Sequence, residues 1–411
     1  MIFSFLYIFK RVFRSGKPNL PPSPPKLPII GNLHQLGTLP HCSLRALSKK
    51  YGPVMLLYLA HAPTLVVSSA ELAKEVLQKN DTIFASRPQN TVAKILLNGY
   101  TDMGFAPYGQ YWRQVRKICV LELLSLKRVE SFQHIREEEV ASLTNKVRES
   151  CSKQTSVNLT EMIIVASNNI VSRCTLGQKF EEEDGKRSFG HLARRVMVQL
   201  TAFCFGDFFP YLGWLNVLTR FIPSLKATFK ELDTFFDQVI EEHKIVKSND
   251  EQPNKKDFVH IVGKSPKDGM LGFEFTDDNL KAILLDMFVA GIDTTSTTLE
   301  WLLAKLIKNP SIMKRAQDEV RTMVGKKSKI DVNIKMHYLK CIVNESLKLN
   351  PPAPLLLPRE TSTSVILGGG YDIPPKTKVF VNIWALQRDP SVWERPEEFL
   401  PKRFIDNPID F

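Results

Sequence analysis

The chain has 411 residues, a length that suits two or three average domains or one large fold. Hydrophobic residues make up 43% and charged residues 24%, which excludes global disorder and allows a large buried core. The net charge of +12 would suit nucleic acid, an anionic membrane or an acidic protein, but the basic residues are scattered and no nucleic-acid motif accompanies them, so nucleic acid is set aside.

The six cysteines, Cys42, Cys119, Cys151, Cys174, Cys204 and Cys341, form no CxxC pair and read as reduced thiols facing the cytosol. The eight histidines include no HExxH and no His/Cys cluster, which argues against a metal site built from protein alone.

Met1 to Phe9 is almost wholly apolar, and Lys10, Arg11, Arg14 and Lys17 follow it. Nine residues are too few to span a bilayer, which needs about 20. A signal peptide carries its charge before the apolar stretch, so this order suits a short anchor remnant over residues 1–17 with a cytosolic basic flank. The alternative is an apolar start that tucks into the fold. Residues 18–30 hold Pro21, Pro22, Pro24, Pro25 and Pro28, whose fixed φ angles predict a stiff hinge before a body over 31–411.

Within that body, Val54 to Leu59 and Thr64 to Val67 are apolar runs split by His61, Ala62 and Pro63, a hairpin signal. From about Glu71 to Lys348 the pattern is mostly helical, broken by polar loops such as Lys247 to Lys256. A second small β region comprises Val365 to Leu367, a turn at Gly368 to Gly370, and Lys378 to Ile383. The triple glycine precedes no helix, so it reads as a β turn and not a phosphate loop. The fold class expected is mainly α with small β regions and no internal repeat.

Thr276 caps a predicted helix of about 30 residues that places Leu280, Ile283, Leu284, Met287 and Phe288 on one face and ends before Pro310. Its middle reads Ala290-Gly291-Ile292-Asp293-Thr294-Thr295-Ser296-Thr297-Thr298, an acid followed by five hydroxyls. Glycine and threonine weaken helices, and a hydroxyl can bond the carbonyl four residues back, so Thr294 is spaced to reach Ala290. A polar groove beside Gly291 is one reading; a solvated threonine face is the other.

Ala-Gly-x-Asp-Thr-Thr resembles the oxygen-binding signature of the cytochrome P-450 superfamily of haem-thiolate monooxygenases. By that resemblance Asp293 and Thr294 deliver protons to bound dioxygen, in an oxygen groove at Ala290 and Gly291. Trp112 and Arg116, four apart and so on one helix face, resemble the family's W-x-x-x-R pair, which with Arg359 binds the haem propionates. Taken alone, Trp112 and Arg116 also suit simple packing, and Arg359 an ordinary strand edge. Glu345-Ser346-Leu347-Lys348 occupies the place of the family's Glu-x-x-Arg, and Pro401-Lys402-Arg403-Phe404 matches its P-x-R-F. The resemblance makes Glu345, Lys348 and Arg403 a buried ionic lock, loosened because lysine lacks the arginine fork. Alone, Glu345 and Lys348 would read as a surface pair. Ala353 to Leu357 and Asn98 to Tyr100 would line the substrate pocket by analogy.

These motifs occur in family order across essentially the whole chain and look most like the plant microsomal class. The resemblance implies haem b, dioxygen, a small apolar secondary-metabolite-like substrate, electrons from an NADPH-dependent cytochrome reductase, and the cytosolic face of the endoplasmic reticulum membrane. The family's haem-ligating cysteine lies downstream of P-x-R-F, and no cysteine follows Cys341. The expectation is therefore a cytochrome P-450-like fold lacking the cysteine loop and the helix after it, with no metal ligand in the chain and apolar surface left exposed on the long helix. The competing expectation is a truncated, non-catalytic protein associated with the membrane surface.

Overall fold

The computed structural model describes residues 18–179, 189–246, 258–259, 275–325 and 335–406. The anchor expected over 1–17 and the polar loop expected over 247–256 lie outside these residues. The chain divides into two units, Met1–Pro88 with Leu355–Leu386, and Gln89–Pro354 with Gln387–Phe411.

The first unit carries helix α1 (Pro40–Tyr51) and both sheets. Strands β1 (Val54–Leu59) and β2 (Ala62–Val67) form the expected hairpin, with Leu59 opposite Ala62. The turn is shorter than the residue pattern suggests, because Ala60 takes a left-handed φ of 55° and Ala62 and Pro63 already pair. Pro63 is tolerated because β2 meets its second neighbour, β6 (Lys378–Val381), only from Thr64 onward, so no ladder bond is lost at the proline. The sheet order is β1-β2-β6-β3, with β3 (Arg359–Glu360) at the edge. Strands β4 (Val365–Leu367) and β5 (Tyr371–Ile373) form a separate pair across the glycine turn. The last strand stops at Val381 and not at Ile383, since the Asn382 side chain accepts the Ala385 N–H and opens a short helix, Ile383–Leu386.

The proline-rich segment is fastened to this unit. Leu56 donates to the Pro22 carbonyl at 2.9 Å, and the buried Asn32 amide reaches the Pro24 and Pro25 carbonyls. Gly31, at φ +60°, passes so close to β1 that a Cβ would lie 2.1 Å from the Tyr58 carbonyl oxygen.

The second unit is helical. Its main helices are α2 (Gln110–Ile118), α3 (Gln133–Ser152), α4 (Leu159–Leu176), α5 (Phe189–Leu200), α6 (Phe221–Val246), α7 (Asp277–Lys308), α8 (Pro310–Val324) and α9 (His337–Leu349). The 32-residue α7 starts in a capping box, in which the Thr276 hydroxyl accepts the Asn279 N–H and the Asn279 side chain accepts the Thr276 N–H. Asp277 and Asp278 in its first turn and Lys305 and Lys308 in its last complement the helix dipole. Leu280, Ile283, Leu284, Phe288 and Ile292 join α6 residues such as Phe236 in the main core, where each large side chain stabilises by about 1.5–3 kcal/mol. Beyond the core, Leu299, Trp301 and Ile307 of α7 are exposed. Alone among the described single helices, α7 is long and apolar enough to cross a membrane, and its packing on α4 makes it a core helix instead.

Replacing Gly31 by alanine should lower the unfolding free energy by about 3 kcal/mol, because the methyl and the Tyr58 carbonyl cannot share that space. The shift will be read as a lower urea midpoint at unchanged slope.

Candidate functional site

The hydroxyl run on α7 turns inward on its own backbone. Thr294 donates to the Ala290 carbonyl at 2.5 Å, Thr298 to that of Thr294 at 2.7 Å, and the buried Ser296 to that of Ile292 at 2.7 Å. Thr294 is half-buried, as is Asp293, which forms no ion pair among the described residues. Gly291 is used differently. A Cβ there would lie 2.9 Å from Val171 Cγ2, so the missing side chain admits α4, and its bare face is filled by Val171 instead of being left for a ligand. Exposed Ala290 and half-buried Thr294 lie one step around the helix.

Helix α2 carries Trp112 and Arg116 on one face, with the guanidinium 5.3 Å from the indole centroid. The indole N–H donates to the Met103 carbonyl at 3.0 Å. Arg116 is exposed and has no ion pair or hydrogen bond among the described residues, so its donors are open to an anionic ligand. Sequence reasoning missed why Trp112 is held so firmly. The loop ahead of α2 is tied to α7: the Tyr111 hydroxyl donates to the Thr101 carbonyl at 2.5 Å and accepts from Asn279 at 3.1 Å, while Asp286 accepts the Met103 N–H at 2.6 Å. The available signal was an acid, Asp286, inside the apolar half of the long helix.

Glu345 and Lys348 are both fully buried, so they are not a surface pair. Glu345 Oε2 accepts from Arg403 at 2.9 Å, and its Oε1 from the Leu400 N–H at 3.2 Å and from Lys348 at 3.4 Å. Lys348 makes its shorter bond, 2.9 Å, to the Pro396 carbonyl. Burial raises the Glu345 pKa despite two cations, and burial, with help from Arg403 and Arg388, pushes Lys348 down to about 8. Both shifts point the same way: desolvating the pair costs more than the attraction returns.

In the first unit, Arg359 lies on the edge strand β3, half-buried, and its guanidinium donates to Asp81 and to the Phe84 carbonyl, both at 3.3 Å. Beside it, Arg87 donates to the Leu357 and Pro358 carbonyls. In the second unit, Asn98, Gly99 and Tyr100 are three successive left-handed residues, held by the Tyr100 hydroxyl on the Asn90 carbonyl at 2.7 Å.

Among the described residues no cluster of His, Cys, Asp and Glu could hold a metal ion. Burial raises the pKa of Cys119 to about 12 and of Cys174 to about 11, and raises those of Cys204 and Cys341. Those four cysteines are set up as thiols and not as thiolate ligands. The open donors of Arg116 and the Thr294 hydroxyl beside exposed Ala290 are groups that would fit a haem, and none of those four cysteines is prepared as a thiolate.

The mainly helical fold with two small sheets is that of the cytochrome P-450 structures. A zebra fish cytochrome P-450 solved with progesterone superposes with a TM-score of 0.75 at 25% identity, over 90% of this chain and 85% of that one. The Cytochrome P-450 family model matches residues 21–410, and the chain belongs to that family, whose cofactor is haem. It is 51% identical over 418 residues to phenylacetaldehyde oxime monooxygenase of Prunus mume, covering 99% of this chain and 79% of the relative. It is 45% identical to desmethylyatein synthase of Sinopodophyllum hexandrum, covering 100% and 82%. Its relatives are plant monooxygenases of secondary-metabolite substrates, and the family implies dioxygen, a small substrate and a redox partner.

Two outcomes follow for the lock. Glu345→Gln should cost about 3–5 kcal/mol of unfolding free energy, since it strands buried cations, measured by chemical denaturation. Folded Lys348 releases its proton near 8, whereas in the unfolded chain it does so near 10.4. The unfolded state therefore binds more protons between those values, and this residue makes stability rise with pH across that window. Lys348→Met should remove that rise, seen as the difference between the two pH profiles of the denaturation midpoint.

Proposed function

We propose that this chain is a haem monooxygenase sequence of the plant microsomal kind, inserting one oxygen atom of dioxygen into a small apolar, secondary-metabolite-like substrate. The observation that carries the reading is the Thr294 hydroxyl seated on the Ala290 carbonyl, with Asp293 beside it. Haem, when bound, supplies the activation of dioxygen. The chain's own part is to hold and move protons: Thr294 keeps a hydroxyl beside exposed Ala290, and half-buried Asp293 accepts and returns a proton there. Arg116 would hold a propionate, and Glu345, Lys348 and Arg403 fix the backbone of the second unit.

Electrons would come from an NADPH-dependent cytochrome reductase at the cytosolic face of the endoplasmic reticulum. The short apolar N-terminus and its basic flank support that location, as does the likeness to plant relatives. Phenylacetaldehyde oxime, from the name of one relative, is the first substrate to try.

A second reading, a membrane-associated protein without thiolate-ligated haem, is favoured by the raised pKa values of buried Cys119, Cys204 and Cys341 and half-buried Cys174. A reduced carbon-monoxide difference spectrum of the chain expressed with haem supply separates the two: a thiolate-type band supports the monooxygenase, and its absence supports the second reading. Where the band forms, Asp293→Asn should lower turnover about 100-fold while leaving the substrate-induced spectral shift unchanged. Turnover equal to wild type would remove Asp293 from proton delivery.

A further inference from the structure

Asp286 stands two turns before Asp293 on the same side of α7, and its surroundings are not those of an ionised carboxylate. Its Oδ2 accepts the backbone N–H groups of Met103 at 2.6 Å and Gly104 at 3.3 Å. The fully buried Asp102 turns its own Oδ2 to the Phe105 N–H at 2.6 Å. The two carboxyl groups flank Gly104, where a Cβ would lie 3.3 Å from Asp102 Oδ2 and 3.6 Å from Asp286 Oδ1. The second oxygen of Asp286 therefore faces the Asp102 side across a gap that glycine leaves open.

The groups around Asp286 are Asp102 from the loop, and Tyr111 and Cys119 from α2 and the turn that continues it. None is a cation, and Asp286 forms no ion pair among the described residues; Arg116 acts on Cys119. Glu139 on α3 is the contrast. Burial works to raise its pKa too, but Lys179, Arg173 and Asn169 bond it and bring it below the ordinary value.

We propose that Asp286 is a positioning residue that, as a neutral acid facing Asp102 across Gly104, clasps the loop 101–105 whose Met103 carbonyl fixes Trp112 beside Arg116. As an acid it accepts two N–H groups through one oxygen and presents O–H to Asp102 through the other, so no two like charges meet in the core. Loss of the proton sets two carboxylates on either side of Gly104 and drives the loop outward.

Burial and Asp102 both push the Asp286 pKa well above the usual carboxylate range. The folded chain then binds more protons than the unfolded one between the ordinary and the raised value, so the stability from the clasp falls as pH rises through that window.

The clasp stands on geometry alone, whereas its service to a propionate rests on the function proposed above, and the test separates them. Amide hydrogen exchange over residues 101–105 of the full chain is measured for wild type, Asp286→Asn and Asp286→Ala, with folding checked by far-ultraviolet circular dichroism. Asparagine imitates the neutral acid and should keep protection within about twofold, while alanine should speed exchange at least about tenfold. Exchange as fast in Asp286→Asn as in Asp286→Ala would show a working carboxylate and overturn the proposal; slow exchange in Asp286→Ala would show no clasp at all. Should Asp286→Ala not fold, Asp102→Asn replaces it: with rates divided by intrinsic exchange, this variant should lose the fall in protection with rising pH that wild type shows, and an unchanged fall overturns the shared arrangement. Quenching of tryptophan fluorescence by added haem reads the second step. The half-saturating concentration should rise about tenfold in Asp286→Ala and not in Asp286→Asn. Faster exchange with unchanged quenching would leave the clasp and overturn its positioning of the haem-facing pair.

Discussion

Polar side chains on α7 must be matched from within the second unit, because an unmatched polar group in a core costs about 1–3 kcal/mol. Asn279, Asp286, Asp293 and Glu300 recur every seven residues, a spacing that drifts only about 20° per step and so forms one slowly turning stripe. Asn279 and Asp286 are matched by the chain leading into α2, and Glu300 by the Thr160 hydroxyl at the start of α4. Asp293 alone of the four has its neighbouring hydroxyls turned back into the helix. The helix thus uses three of the four stripe residues to fix other segments.

The same economy explains the glycines. At Gly291 the absent side chain lets α4 close on α7, and at Gly104 it lets two carboxyl groups approach. Neither is an empty space awaiting a ligand. Ala290 stays exposed and Thr294 half-buried, while other faces of α7 meet Val171, the core and the loop before α2.

Much of this was legible in residue order. The hairpin, the long helix with its Thr276 cap, the bond from Thr294 to Ala290 and the edge position of Arg359 follow from period, spacing and side-chain reach. The pairing of Asp286 with Met103 was not legible, since it joins segments 183 residues apart, and neither was the acceptor of Trp112, which lies only nine residues back but is a backbone carbonyl such as every residue carries. The direction of Gly291 was missed for a related reason: a helical glycine reads as a weakness until the helix packed on it is known.

The lock shows how far charge alone explains a buried site. One carboxylate, Glu345, faces Arg403 and Lys348, and its raised pKa shows that burial outweighs them. What the cations do beyond pairing is bind backbone: Lys348 holds the Pro396 carbonyl, Arg403 those of Glu394 and Arg395, and Arg388 that of Leu349. The carbonyls of 394–396 belong to turns with no ladder to satisfy them and that of Leu349 ends helix α9, so each cation fixes a carbonyl that regular structure leaves open. An arginine at 348 would offer a planar fork to Glu345, but the lysine, a point charge on a flexible stem, divides itself between the carboxylate at 3.4 Å and the carbonyl at 2.9 Å. The exchange therefore weakens the ionic contact while keeping the backbone one, and the route of the chain through Arg403 and Phe404 depends more on captured carbonyls than on the ion pair that marks the motif.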